Sequence, residues 1–251
     1  MQLAKSLYRL DRQKQSPISA IRSLLKRGHL GRARQLKNMY PDCWRWVMCS
    51  EHVEGFLTHA EADRLYQLAR DCTPQDQPVV VEIGSWKGKS SIMLAAGLMG
   101  KNRPQLFCVD SFQGDEDPGY QEKYYAELMQ RDPRDMEEIF KANIRSCGLD
   151  HIASPLRGYS FERSRGWKLP IDLLFIDGNH EYRAVLRDFA EWGAFLKVGA
   201  VVAFHDCCKE FEGPRRVVQE KIVDPCFTPV QSCDWLAWAT KLREGEAQAG
   251  N

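Results

Sequence analysis

Four apolar runs in this 251-residue chain end on a side chain that can take a proton or bind a charge. Val79-Val80-Val81 runs into Glu82, and Leu106-Phe107-Cys108-Val109 into Asp110. Leu173-Leu174-Phe175-Ile176 runs into Asp177, and Val201-Val202-Ala203-Phe204 into His205-Asp206. Carboxylates and imidazoles can hold a cation, accept hydrogen bonds from hydroxyls, or remove a hydroxyl proton. Any one of them has an ordinary alternative as a helix cap, open for Asp177 and for Asp110 before Ser111. Four on one rim of a sheet point to a site, because ligands of open parallel sheets bind outside the carboxyl ends of the strands.

The first of these runs continues as Ile83-Gly84-Ser85-Trp86-Lys87-Gly88-Lys89-Ser90-Ser91 and becomes helix-like from Ile92. A strand, a glycine turn and a helix start bring bare backbone close to a nucleotide-like ligand. Gly84 and Gly88 are separated by three residues where a P-loop needs four. Trp86 stands where a dinucleotide fingerprint needs its second glycine. Glu82 repels phosphate and suits a cationic ligand, although an ordinary βα turn is the plain alternative. Asp110 lies about twenty residues past the turn, the spacing at which an acid accepts both hydroxyls of a ribose.

These groups need a parallel sheet to hold them. Leu106–Asp110, Asp150–Arg157, Ile171–Asp177 and Val198–Phe204 follow the glycine-turn strand as predicted strands, with a helix over about Tyr182–Leu196. Residues 59–72 read as a helix with Thr58 as its N-cap. Apolar strands alternating with helices imply a sheet covered on both faces. Phe227–Val230 and Trp235–Thr240 are predicted to close it as an antiparallel hairpin. Gln113–Phe140, with Asp115, Glu116, Asp117, Tyr120, Tyr124 and Tyr125, exceeds a plain connection and reads as a lid, or as a surface elaboration.

Net charge is +1, so no global field steers the chain toward nucleic acid. The first forty residues differ: ten Lys and Arg face one acid, Asp11, and Ile18, Ile21, Leu24 and Leu25 recur at helical spacing. Such a basic amphipathic helix can touch an anionic membrane or dock with its charged face in solvent. No apolar run approaches the ~20 residues of a membrane span, and Met1–Gln15 lacks a signal peptide's apolar core. Nine cysteines without a Cys-x-x-Cys pair fit reduced thiols in the cytoplasm.

Together, Glu82–Ser90, Cys108–Phe112, Phe175–Tyr182 and Phe204–Asp206 resemble a class I S-adenosylmethionine (SAM)-dependent methyltransferase, nearest to small-molecule catechol and antibiotic-sugar O-methyltransferases. The resemblance spans about residues 50–240. It implies SAM as cofactor, whose sulfonium and ammonium match the cation Glu82 suits. Gly84, Ser85 and Gly88 would border its methionine part, Trp86 and Ser90 its carboxylate and amino end, and Asp110 with Ser111 its ribose. Tyr159 and Ser160 would meet the adenine, with a core role open for Tyr159. Relatives of the catechol type bind magnesium through an aspartate at the fourth strand and an acidic pair after the fifth. Asp177 and Asp206 match, but His205 replaces the first member of the pair. Mg²⁺ prefers oxygen ligands, so a softer divalent ion, or a His205–Asp206 pair without metal, is equally open. His180, three residues past Asp177, stands where those relatives place a lysine base. An imidazole, ordinarily titrating near ~6.5, can take a hydroxyl proton there, or cap the next helix.

The expected architecture is therefore α/β: a Rossmann-like, doubly wound, mostly parallel sheet with a closing antiparallel hairpin. Residues 1–50 form a basic helical extension and 51–251 the methyltransferase domain. The expected acceptor is a hydroxylated small molecule or sugar. Methylation of a lipid or envelope glycan with residues 1–40 on a membrane, and a non-catalytic SAM-fold binding protein, are the rivals. Acceptor identity and oligomeric state stay open.

Overall fold

The computed structural model describes residues 30–114, 135–223 and 225–243. Helices α1 (Leu30–Met39), α2 (Trp44–Ser50) and α3 (His59–Asp71) precede β1 (Val79–Ile83). Then come α4 (Lys89–Leu98), β2 (Gln105–Asp110), α5 (Met136–Ser146), β3 (Ala153–Arg157), the single turn α6 (Ser160–Arg163) and β4 (Ile171–Ile176). Helix α7 (Tyr182–Gly193), β5 (Leu196–Phe204), α8 (Glu212–Lys221), β6 (Gln231–Cys233) and β7 (Leu236–Thr240) complete the order.

The seven strands form one sheet in the order β3-β2-β1-β4-β5-β7-β6, parallel from β3 to β5, with β7 antiparallel to both neighbours. Every residue of β1 and β4 is buried. This explains their apolar character, interrupted only by Glu82 and Asp172: both faces are covered, and each Val, Ile or Leu so buried contributes roughly 1.5–3 kcal/mol. Val80 packs with Leu65, Ile92 and Met93 on one face, and Val81 and Ile83 with Val185 and Trp192 on the other.

Register places the site. Ile83 pairs with Val109 on one side and Ile176 on the other, and Ile176 pairs with Phe204. The next residues, Gly84, Asp110, Asp177 and His205, therefore leave the sheet side by side. The order reverses at β1, the switch point where a doubly wound sheet opens a crevice.

The strand–helix alternation is as expected, with shifts at three boundaries. Leu149–Ile152 forms a hydrogen-bonded turn, so β3 begins at Ala153 rather than Asp150. Helix α7 stops at Gly193, and β5 already starts at Leu196, paired with Ile171. The outer hairpin strand is the polar Gln231–Cys233, while Phe227 makes one isolated bridge to Lys241. Thr58 caps α3 as expected, in a capping box completed by Glu61. From Leu30 on, the N-terminal segment shares the main core through Ala33, Leu36, Val47 and Met48. The amphipathic pattern around Ile18–Leu25 and most of the expected lid lie outside the described residues. Among the described residues, no helix is long and apolar enough to cross a membrane.

Candidate active site

A cavity of about 300 Å³ opens at the carboxyl ends of β1, β2, β4 and β5. Its wall holds Gly84, Ser85, Trp86, Ser90, Asp110, Ser111, Asp177, His180, His205 and Asp206. Residues scattered over more than 120 positions of sequence thus meet in one place.

Asp110 ties the first two strand ends together. Its Oδ2 accepts the Trp86 N–H at 2.7 Å and its Oδ1 accepts the Phe112 N–H at 2.6 Å. Both donors have left-handed backbone, Trp86 at φ 43° and Phe112 at φ 55°. Non-glycine residues reach that region only when their surroundings impose it, and such strain gathers at functional sites. The carboxylate supplies the bonds that hold both turns.

Glu82 lies beneath the cavity rather than on its wall. It is fully buried, and the Ser91 hydroxyl donates to its Oε2. Burial raises its carboxyl to about 7, against the opposing pull of the neighbouring serine hydroxyls. In this geometry it ties the end of β1 to the start of α4 through Ser91. The linkage is testable. Unfolded Glu82 titrates near 4.5 and the folded residue near 7, so between these values only the folded state holds the proton. Stability from this group therefore falls as pH rises through that window, by ~3 kcal/mol in all. Denaturant unfolding at about pH 5 and about pH 8 should show this loss in the wild type relative to Glu82→Gln. An identical pH response in both proteins would show that Glu82 is not perturbed.

Gly88 is also off the wall, packed against Phe140 and Ile144 of α5. Tyr159 and Ser160 are not among the lining residues either. The Ser160 hydroxyl donates to Asp188, whose carboxyl burial raises to about 6, and the Tyr159 ring stacks on Phe161 at 5.4 Å.

At the ends of β4 and β5 the charged groups crowd. His180 Nε2 lies 2.8 Å from Asp206 Oδ2, and its ring stacks on Phe211 at 4.3 Å. His180 does not cap α7, whose N-cap residue is Glu181. His205 Nδ1 lies 3.1 Å from Asp177 Oδ1 and 3.2 Å from Asp206 Oδ2. Burial raises the Asp177 carboxyl, while His205 draws it back. For Asp206 burial acts upward too, but hydrogen bonds from His180 and His205 outweigh it and hold the group well below the usual carboxylate range.

Asp177, His205 and Asp206 have ligand atoms all within 4.8 Å of one another, as a metal site would need. The donor set does not fit one. His205 Nε2 lies 3.4 Å from Oε2 of Glu61, so both ring nitrogens face carboxylate oxygens. Burial pushes the imidazole toward neutrality, but Asp177, Asp206 and Glu61 overcome it and raise its proton affinity far above the ordinary range. With carboxylate oxygens facing both nitrogens, the surroundings favour an N–H on each, and a ring protonated in that way has no lone pair for a metal.

Several wall residues carried no sequence signal. The strap Glu54–Leu57 crosses the glycine turn, held by Lys87 Nζ to Glu54 Oε2 at 2.6 Å and Lys89 Nζ to the Gly55 carbonyl at 3.0 Å. Phe56 stacks parallel to Trp86 at 6.0 Å. Phe211 and Trp235 line the far side. Apolar walls with few convergent polar groups suit a small-molecule site.

The profile of a methyltransferase domain family matches residues 81–207, from β1 to just past the His205–Asp206 end of β5. The uncharacterized protein y4gI of Sinorhizobium fredii (strain NBRC 101917 / NGR234) is 30% identical over 132 residues, 51% of this chain. The match takes in 13% of that protein, so the chain spans a small part of this curated relative. The O-methyltransferase from Bacillus cereus, solved in complex with SAH, superposes with a TM-score of 0.56 at 14% identity, covering 80% of this chain and 91% of its own. The O-methyltransferase TomG from Streptomyces achromogenes, involved in tomaymycin synthesis and solved with SAM, gives 0.54 at 15% identity, covering 86% and 90%. At these identities the shared feature is the fold.

Proposed function

The chain belongs to the family of methyltransferase domains, and we propose on that premise that it transfers the methyl group of SAM to a hydroxyl of a small molecule or sugar. The observation that carries the reading is a single cavity joining the glycine turn after β1 to the His180–Asp206 pair at 2.8 Å. SAM supplies an already activated methyl group, so the protein must align an oxygen with it and help remove its proton. In our reading the turn Gly84–Trp86 and Asp110 hold the cofactor, and His180 is the base. Asp206 orients the imidazole: with Nε2–H directed at its carboxylate, the basic lone pair sits on Nδ1. Ser85, Ser90 and Ser111 are assigned as polar wall for the cofactor, and Asp177 as the group beside the reacting centre. The methyltransferase unit is read as beginning near residue 51, with the preceding helices docked on it. The cysteine pattern supports a cytoplasmic setting.

Calorimetric titration of the purified chain with SAM tests the reading. Micromolar binding is expected, and its absence would leave a SAM-fold protein without the cofactor's chemistry. Asp110→Ala should weaken SAM by roughly 1.5–3 kcal/mol, the usual worth of hydrogen bonds to a charged group. It also leaves the Trp86 and Phe112 N–H groups unpaired, so part of the loss comes through the turns. An unaltered affinity would remove Asp110 from the site.

A further inference from the structure

The end of β5 holds a charge arrangement that methyl transfer to a hydroxyl does not itself require. Glu61 is the third residue of α3 and has no exposed surface. Its Oε2 accepts the Thr58 N–H and its Oε1 the Trp235 N–H, each at 2.8 Å. These bonds explain its capping role but do not neutralise its charge, and a carboxylate this deep needs a cation. Among the described residues, the cation within ion-pair reach is His205, itself 4% exposed. Their 3.4 Å contact is electrostatic, since Nε2 lacks an aligned hydrogen-bond partner.

The ring cannot be neutral without conflict. One tautomer turns a nitrogen lone pair toward Glu61, and the other turns one toward Asp177 and Asp206. Only a ring protonated on both nitrogens puts positive charge rather than a lone pair beside every facing carboxylate. Such a ring stands between Asp177 and Asp206, where the relatives of the catechol type carry magnesium.

We propose that Glu61 is a positioning residue that fixes His205 as a buried cation, and that this imidazolium takes the place of a divalent metal, so that the site operates without one. Asp206 Oδ2 then lies between two imidazoles, His205 Nδ1 at 3.2 Å and His180 Nε2 at 2.8 Å. The order Glu61, His205, Asp206, His180 carries a fixed charge from the buried cap of α3 to the base. The link to turnover rests on the methyl-transfer reading; the charge on His205 does not.

The test uses the full chain, the nitrogen NMR spectrum of the His205 ring, and Mn²⁺ as the metal probe. The wild type should show two protonated ring nitrogens on His205 at neutral pH. Mn²⁺ should leave that signal unbroadened, and SAM affinity should be the same in EDTA and in millimolar Mn²⁺. Glu61→Gln should lose the second ring proton at neutral pH. His205→Asp places a fourth carboxylate beside Glu61, Asp177 and Asp206. Its melting temperature should fall and recover on adding Mn²⁺, with Mn²⁺ bound at least about tenfold more tightly than by the wild type. The wild-type spectrum and His205→Asp decide the matter if Glu61→Gln does not fold. A neutral His205 in the wild type, or Mn²⁺ binding by the wild type that Asp206→Asn abolishes, overturns the proposal. If SAM does not bind while His205 is doubly protonated and Mn²⁺ is excluded, the methyl-transfer reading falls and the charge assignment stands.

Discussion

His180→Ala should lower turnover by about 10² or more while leaving SAM affinity unchanged. The imidazole is held from two directions, by Asp206 Oδ2 at 2.8 Å and by the face of Phe211 at 4.3 Å. It is part-exposed, with 24% of its side chain accessible, so it can meet an acceptor at the cavity wall. Removing it deletes the proton acceptor without touching the glycine turn or Asp110, where the proposed cofactor contacts lie. Steady-state rates with calorimetry in parallel separate the two effects. The wild-type rate should climb with pH on the acid side as the base loses its proton, and the variant should lack that limb. Asp206→Asn should also slow the reaction, because an amide no longer enforces the tautomer that puts the lone pair on Nδ1. A His180→Ala rate near normal across pH would leave the ring only a packing role against Phe211.

Local physics made much of this fold readable in advance. The runs Val79–Ile83 and Ile171–Ile176 are apolar at every position or nearly so because both faces are buried. Thr58 announced a helix start through bonds made within three residues. Four strand ends carrying Glu82, Asp110, Asp177 and His205-Asp206 marked the rim, and register brought all but Glu82 onto the cavity wall. What the chain does over long range was not readable. Nothing near Glu61 signals that it meets His205, 144 positions on, because a capping box explains the residue completely at the local level. Nothing in the sequence marked Ser91, yet its hydroxyl turns back onto the buried Glu82. The edge strand Gln231–Cys233 is polar and exposed, so it lacks the apolar signal that drew the hairpin expectation to Phe227–Val230. Tyr159 and Ser160 follow β3 as expected, but buried Asp188 claims the serine hydroxyl and Phe161 the tyrosine ring.

Gly84→Ala should lower stability by roughly 2–4 kcal/mol and weaken SAM by about 10²-fold. At φ 84° this residue is in the left-handed region, and an added Cβ would lie 2.2 Å from the Asp177 carbonyl oxygen and 2.6 Å from Gly178 Cα. Those neighbours are backbone and cannot rotate aside. They are also zipped in place: Gly84 N–H donates to the Val109 carbonyl at 2.9 Å, and Asp177 N–H donates to the Ile83 carbonyl at 2.8 Å. The methyl group must therefore wedge β1 from β4, carrying Asp177 away from His205 and shifting His180 three residues further on. Gly100→Ala is the control. It has nearly the same φ, 83°, but nothing within 4 Å of the added atom. It should cost only the left-handed strain, about 1 kcal/mol, and leave SAM binding intact. Denaturant unfolding and SAM calorimetry on both variants separate the contact from the dihedral. If the two lose equal stability and both retain SAM, the close approach of β1 to Asp177 does not shape the site, and the glycine serves its turn alone.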